Sequence, residues 1–178
     1  LAEGHFILSS GLHSAQYVQC AQLLSKPHKA EKFCSSLAEK IAKEFNEIDL
    51  ILSPAMGGVV VGYEIGRLLK KETIFAERVN GKFNLRRGFK ILKNAKVLIV
   101  EDVITTGNSS LECLDLIETA SADLLGFACL IDRSNGKSNL NNQIISQVQI
   151  NIPTYKENEL PQTLMSIPAI KPGSRDIK

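Results

Sequence analysis

The chain has 178 residues, 44% of them hydrophobic and 22% charged, which suits one domain with a sizeable core and excludes a disordered or fibrous segment. A formal charge of +2 argues against a polyanion-binding surface and against an acidic tail. Four cysteines (Cys20, Cys34, Cys113, Cys129) lack metal-ligand spacing, and no signal peptide or bilayer-length apolar run is apparent, so a cytoplasmic protein is expected.

The first residue is Leu1, not methionine, so further residues upstream are expected. Residues 4–25 read as irregular or short β structure, with Ser9-Ser10-Gly11 as a turn. From Pro27 to Phe45, apolar residues at helical spacing (Phe33, Leu37, Ile41, Phe45) follow a proline suited to a helix start. Asp49 to Ser53 reads as a buried strand, and Gly57-Gly58 opens a helix running to about Lys70. Thr73 to Ala76 is a short strand, and 78–88, rich in Gly, Asn, Arg and Lys, a mobile loop or hairpin. Lys96 to Val100 is the central strand, Ser109 to Ala120 a helix and Leu124 to Ile131 a strand, with Cys113 and Cys129 as buried thiols. Gln147 to Ile152 alternates like a strand, and Glu157 to Met165 reads as a short terminal helix despite Pro161. No repeat or linker divides the chain. The alternation of strands and helices predicts a three-layer α/β fold around a mostly parallel sheet. The phosphate-binding patterns G-x-x-x-x-G-K-[ST] and G-x-G-x-x-G are absent.

The most informative stretch is Val97 to Ser110, Val-Leu-Ile-Val-Glu-Asp-Val-Ile-Thr-Thr-Gly-Asn-Ser-Ser. A buried strand delivers two carboxylates, Glu101 and Asp102, to its C-terminal end, where open α/β sheets bind ligands. Thr105, Thr106, Gly107, Asn108 and Ser109 then offer hydroxyls and N–H groups at a helix N-terminus, which favours a phosphate. A plain strand, turn and N-cap is the alternative, but it does not call for the acidic pair and the hydroxyl loop together. The stretch resembles the 5-phosphoribosyl-1-pyrophosphate (PRPP) signature of the type I phosphoribosyltransferases. The resemblance implies that Glu101 and Asp102 face the ribose hydroxyls and that Val103, Ile104 and the loop Thr105–Ser109 bind PRPP around its 5-phosphate.

The acceptor clue lies near the start, in Phe6-Ile7-Leu8-Ser9-Ser10-Gly11 and Ser14-Ala15-Gln16-Tyr17. This segment is similar to one in orotate phosphoribosyltransferases, where it forms a hood over the base. Leu130-Ile131-Asp132-Arg133 is similar to the strand end whose arginine reaches the pyrimidine, and a guanidinium suits a planar carboxylate. A surface hairpin and a solvated charge are the plainer readings of the two segments. Ser53-Pro54-Ala55-Met56-Gly57-Gly58 stands where the family has its pyrophosphate loop, although Gly-Gly there also suits close packing of strand and helix. The resemblance thus assigns Ala55, Met56, Gly57 and Gly58 to PRPP, and Arg133, Thr105, Ser10 and Tyr17 to orotate. It further implies a hood built from about residues 1–25 and part of the C-terminal segment, a homodimer with shared active sites, and Mg²⁺ held mainly by PRPP and water. Arg78, Lys82, Arg86 and Arg87 become candidate catalytic cations for the leaving group, beside Asp102 and Glu101 on the ribose side.

The match covers roughly residues 4 to 135, with departures. Met56-Gly57 stands where many orotate enzymes carry a lysine, Ser9 replaces another lysine, and the mobile loop lacks its histidine. The Leu85-Arg86-Arg87-Gly88-Phe89 ending resembles one bacterial sub-branch, and Pro172-Gly173-Ser174-Arg175 resembles a family tail. His5 and His13 read as structural or surface groups. A purine or uracil salvage transferase shares the donor site and remains an alternative. A PRPP-sensing, nucleic-acid-binding regulator of the same fold calls for a basic face that a charge of +2 does not support.

Overall fold

The computed structural model of the chain describes residues 1–8 and 10–172. Ser9 of the expected turn, and Gly173, Ser174 and Arg175 of the tail motif, lie outside the described residues. Contacts divide the chain into two compact units, Leu1–Gln19 with Asn151–Lys178, and Cys20–Ile150.

The small unit opens with an antiparallel pair, β1 (Ala2–Ile7) and β2 (His13–Tyr17). Between them Gly11 turns the chain at φ 80°, where a side chain would be strained. Buried His5 and His13 contact each other, Nε2 to Nδ1, at 2.7 Å, and His5 Nδ1 meets the Ile167 carbonyl at 2.9 Å. A carbonyl only accepts, so His5 Nδ1 carries a hydrogen and, in the neutral pair, His13 donates to His5.

The large unit contains α1 (Cys20–Leu24), α2 (Pro27–Glu44), β3 (Leu50–Pro54), α3 (Gly57–Leu69), β4 (Glu72–Val79), β5 (Lys82–Leu85), β6 (Lys96–Ile104), α4 (Asn108–Thr119), β7 (Asp123–Asp132) and β8 (Ile144–Gln149). The chain closes, in the small unit, with a 3₁₀ turn (Glu157–Glu159) and α5 (Gln162–Met165). The six-stranded sheet has the order β5-β4-β3-β6-β7-β8, parallel except for the β4–β5 hairpin. The three-layer α/β expectation is met.

Side chains alternate across the sheet, so the central strands β3, β6 and β7 feed two cores. On one face Leu50, Leu52, Val97, Ile99, Phe127 and Cys129 pack with Cys113 and Ile117 of α4. On the other Ile51, Leu98, Val100, Ala128 and Leu130 pack with α2 and α3 through Leu37, Ile41, Val61 and Ile65. Each fully buried Leu or Ile contributes roughly 1.5–3 kcal/mol. All four cysteines are buried free thiols, three of them (Cys34, Cys113 and Cys129) inside these cores, with Cys34 pushed up to about 11 by burial. No helix of the described residues is long and apolar enough to cross a membrane.

Several expected elements shift. A short helix, α1, replaces irregular chain at Cys20–Leu24. Helix α2 starts at Pro27 as expected but rolls toward Cys34, leaving Phe33 exposed. Strands β4 and β6 run past their expected ends, to Val79 and Ile104. Strand β8 starts three residues early, because Ile144 and Ile145 pair in register with Phe127 and Ala128. The terminal helix splits at Pro161, which forces Leu160 into extended backbone (φ −66°, ψ 133°). At the β8 edge, Lys40 Nζ donates to the carbonyls of Ser146 and Gln147, both at 3.0 Å.

Strand β3 and helix α3 approach so closely that a Cβ on Gly62 would lie 2.0 Å from Ser53 Oγ. That hydroxyl is fully buried and has no hydrogen-bond partner among the described residues. Gly62→Ala is expected to cost about 1–3 kcal/mol in urea unfolding, and Ser53→Ala to be near neutral. The double variant should recover part of the loss, whereas strict additivity would show that the two positions do not compete for one volume.

Candidate active site

The chain leaves β3 through α3 for β4 on one side, and leaves β6 through α4 for β7 on the other. Adjacent strands β3 and β6 therefore form a topological switch point, whose carboxyl-end crevice is the binding position of open α/β sheets. Two loops meet there, 55–58 after β3 and 105–109 after β6. Each leads into the N-terminus of a helix, and the two helices lie on opposite faces.

Strand β6 carries both carboxylates within its last turnings, not beyond its end. Being adjacent, they point to opposite faces. Glu101 is buried on the α4 side, where Ser110 Oγ donates to its Oε1 at 3.4 Å. Asp102 points to the α3 side, and a Cβ on Gly57 would lie 2.7 Å from both of its carboxylate oxygens. Burial pushes the Asp102 carboxyl up, opposed by the Val103 N–H, which donates to Oδ1 at 2.9 Å. Behind it sits Cys20, whose thiol donates weakly to the Asp102 carbonyl at 3.9 Å and is pushed up to about 12 by burial and by the Asp102 charge.

In the loop after β3, the Ala55 N–H donates to the Ala76 carbonyl at 2.8 Å, the Ala55–Met56 peptide is cis, and Met56 is exposed. Gly58 is buried, and a Cβ there would come within 3.0 Å of the Val100 carbonyl oxygen. Close packing of strand and helix thus accounts for Gly58, while Gly57 makes room for a carboxylate.

In the loop after β6, Thr105 and Thr106 are exposed. Gly107 takes a left-handed conformation (φ 83°), and a Cβ there would strike Leu140 at 2.6 Å. The first helical bond runs from the Leu111 N–H to the Gly107 carbonyl at 2.9 Å, and no side chain caps α4. The N–H groups of Asn108, Ser109 and Ser110 thus precede the first helical bond, the position that binds anions. The segment after β7 buttresses this loop. The Asn139 N–H donates to the Thr106 carbonyl and the Arg133 N–H to the Ile104 carbonyl, at 2.9 and 2.8 Å. Sequence reasoning left Asn139 and Leu140 unexplained; the one hint was an apolar residue in a polar stretch.

The four candidate cations separate. Arg78 forms a bidentate pair with Glu112 of α4, at 2.6 and 2.8 Å, and stacks 4.2 Å over the Phe83 ring. Arg87 pairs bidentately with Glu77, both bonds at 2.9 Å. Lys82 and Arg86 are exposed and make no ion pair among the described residues. The expected loop or hairpin is a hairpin, closed by Asn80 (φ 50°) and Gly81 (φ 83°). Those positive angles identify the two-residue turn that Asn-Gly favours.

Ser10 and Tyr17 belong to the small unit. The Leu12 N–H donates to Ser10 Oγ at 3.4 Å, and the Tyr17 ring lies 5.7 Å from Phe6. Arg133 follows the last residue of β7, in the large unit with both loops.

Comparison with known proteins matches residues 19–161 to the phosphoribosyl transferase domain. The orotate phosphoribosyltransferase of Erythrobacter litoralis is 47% identical over 176 residues, covering 98% of this chain and 91% of its own. That of Sphingopyxis alaskensis is 49% identical over 179 residues, covering 99% and 91%. Among solved structures, the orotate phosphoribosyltransferase of Aeropyrum pernix superposes with a TM-score of 0.68 at 21% identity, over 83% of this chain and 86% of that one, a likeness of fold. Two loops at one switch point, a desolvated carboxylate between them and full-length relatives of one kind agree, and the chain belongs to the orotate phosphoribosyltransferases of the phosphoribosyl transferase domain family.

Proposed function

We propose that the chain transfers the 5-phosphoribosyl group of PRPP to orotate, giving orotidine 5′-monophosphate and pyrophosphate. The observation that carries this reading is the switch point, where Asp102 rests against the first turn of α3 while an uncapped α4 begins six residues later in the chain. The Thr105–Ser109 loop is assigned the 5-phosphate, and Ala55–Gly58 the diphosphate. Asp102 takes the ribose side, where positive charge grows at the anomeric carbon as pyrophosphate leaves. Glu101 keeps its ribose-side assignment on resemblance alone, since its carboxylate is buried on the α4 side and accepts from Ser110. Lys82 and Arg86 are the leaving-group candidates, since Arg78 and Arg87 have their guanidinium forks engaged. Arg133 is assigned the orotate carboxylate, with Thr105, Ser10 and Tyr17 as further base-side candidates on resemblance alone.

The donors near the strand end are carboxylate and hydroxyl oxygens, a set that suits a hard cation retaining most of its water. When bound, Mg²⁺ would supply charge neutralisation of the diphosphate, held chiefly by substrate oxygens with Asp102 nearby. Orotate is an anion already, so its ring nitrogen needs positioning more than a strong base. Exposed apolar Val60 and Tyr63 on α3, with Met56 at its N-cap, support a homodimer, which light scattering would test. The resemblance of the Leu85–Phe89 segment supports membership of one bacterial sub-branch, and the reading carries with it a cytoplasmic enzyme that needs no nucleic acid.

Loss of orotate absorbance requiring protein, PRPP and Mg²⁺ together is the direct test. Turnover of uracil or a purine base in its place would favour a salvage transferase. Asp102 adds a pH argument. Its raised carboxyl binds a proton more tightly folded than unfolded, so stability falls as pH rises from the ordinary aspartate range through the folded value. Asp102→Asn is therefore expected to raise Tm at neutral pH, an advantage that vanishes in acid, while cutting turnover about a hundredfold. Near-normal turnover would remove Asp102 from its role. Arg133→Lys, which loses the bidentate fork, is expected to raise KM for orotate about tenfold with KM for PRPP unchanged. Equal shifts in both constants would count against that assignment.

A further inference from the structure

Arg78 is the most constrained of the four cations, and its partner Glu112 has no part in the reaction described above. Along β4, Ile74, Ala76 and Arg78 alternate onto the α4 face of the sheet, and Arg78 lies directly opposite Phe83 in the hairpin register. Phe83 is buried in the same core as Cys113 and Ile117 of α4. The guanidinium covers that ring, donates to Glu112 through both terminal nitrogens, and donates to the Gly81 carbonyl through Nη1 at 2.5 Å. One side chain thereby ties together the turn of the hairpin, its second strand and the helix that starts at the Thr105–Ser109 loop. Lys82 pairs with Val79 at the mouth of that turn and, by alternation, projects to the opposite face, the face of Asp102 and Gly57. Glu112 lies one helical turn beyond Asn108, so the clamp is anchored to the element that carries the phosphate cradle.

We infer that Arg78 and Glu112 form a positioning clamp that fixes the β4–β5 hairpin on α4, so that Lys82 is held in register with the anion loops. Arg78 then acts through the hairpin and does not itself meet the leaving group. The inference rests on the transferase reading of the site. Its logic is geometric: a planar fork donating two parallel bonds to one carboxylate, and a third to a turn carbonyl, fixes orientation where a lysine would fix only charge. A cation on a frayed hairpin would lose the preorganisation its role needs.

The test is a double-mutant cycle on the full chain with PRPP, orotate and Mg²⁺. Arg78→Ala, Glu112→Ala and the double variant are each expected to lower kcat by about tenfold, alike and non-additively, with KM for orotate unchanged. Arg78→Lys should behave like Arg78→Ala. Hydrogen–deuterium exchange of the 79–84 amides should speed up in every variant, while the loops at 55–58 and 105–109 stay as protected as in the parent. Should the alanine variants fail to fold, Glu112→Gln removes the charge at constant shape and is expected to give the same exchange signature. A Glu112→Ala protein with parental kcat would overturn the clamp, as would Arg78→Ala losses far beyond those of Glu112→Ala, or full activity in Arg78→Lys. If the parent protein itself does not consume orotate, the functional reading fails, and hairpin exchange alone then decides for or against the clamp.

Discussion

The Asp102 carboxylate occupies the volume that a side chain on Gly57 would fill, and much of the surrounding architecture follows from that contact. Strand β6 must run beside β3 for the carboxylate to reach the first turn of α3, and α3 must start at once after Pro54-Ala55-Met56. Removing a charge from water is costly, and the raised Asp102 carboxyl records that cost. The positive end of the α3 dipole and the Val103 N–H offset part of it. An ionised Asp102 there is partly dehydrated, which costs stability, and on the transferase reading that cost is exchanged for preorganisation.

Around this carboxylate the sheet divides labour between its faces. Asp102, Gly57 and, by alternation, Lys82 share one face; Glu101, Ser110, Arg78 and Glu112 share the other. Helix α4 connects the halves, because its first turn follows the strand that bears both carboxylates and its second turn grips the hairpin. Leu140, packed where Gly107 can have no Cβ, supports that first turn from a segment more than thirty residues downstream. The loop is thereby shaped by packing as well as by its own hydroxyls.

What could be read in advance was what is contiguous. Val97–Ser110 holds strand, carboxylates, glycine and hydroxyls in one run, so periodicity and local chemistry revealed the element and its chemistry together. The Arg78–Glu112 pair spans 34 residues and the Gly107–Leu140 contact 33, and neither leaves a periodic trace. Opposite orientation of Glu101 and Asp102 follows from strand alternation once β6 is seen to run to Ile104; an end at Val100 hid it. Phe33 misled because hydrophobicity alone cannot distinguish two overlapping stripes on α2, and packing chose the smaller Cys34. The early start of β8 rests on pairing with β7, which a single-strand pattern does not contain.

Open sheets leave two rows of unpaired backbone groups, which invite strands from other molecules. Here the β5 edge is four residues long and begins with a lysine. At the other edge the ammonium of Lys40 already occupies carbonyls of Ser146 and Gln147. An incoming strand meets a short, charged border on one side and a cation seated on the backbone on the other. Growth by edge-to-edge accretion is discouraged at both ends, and the sheet stops at six strands.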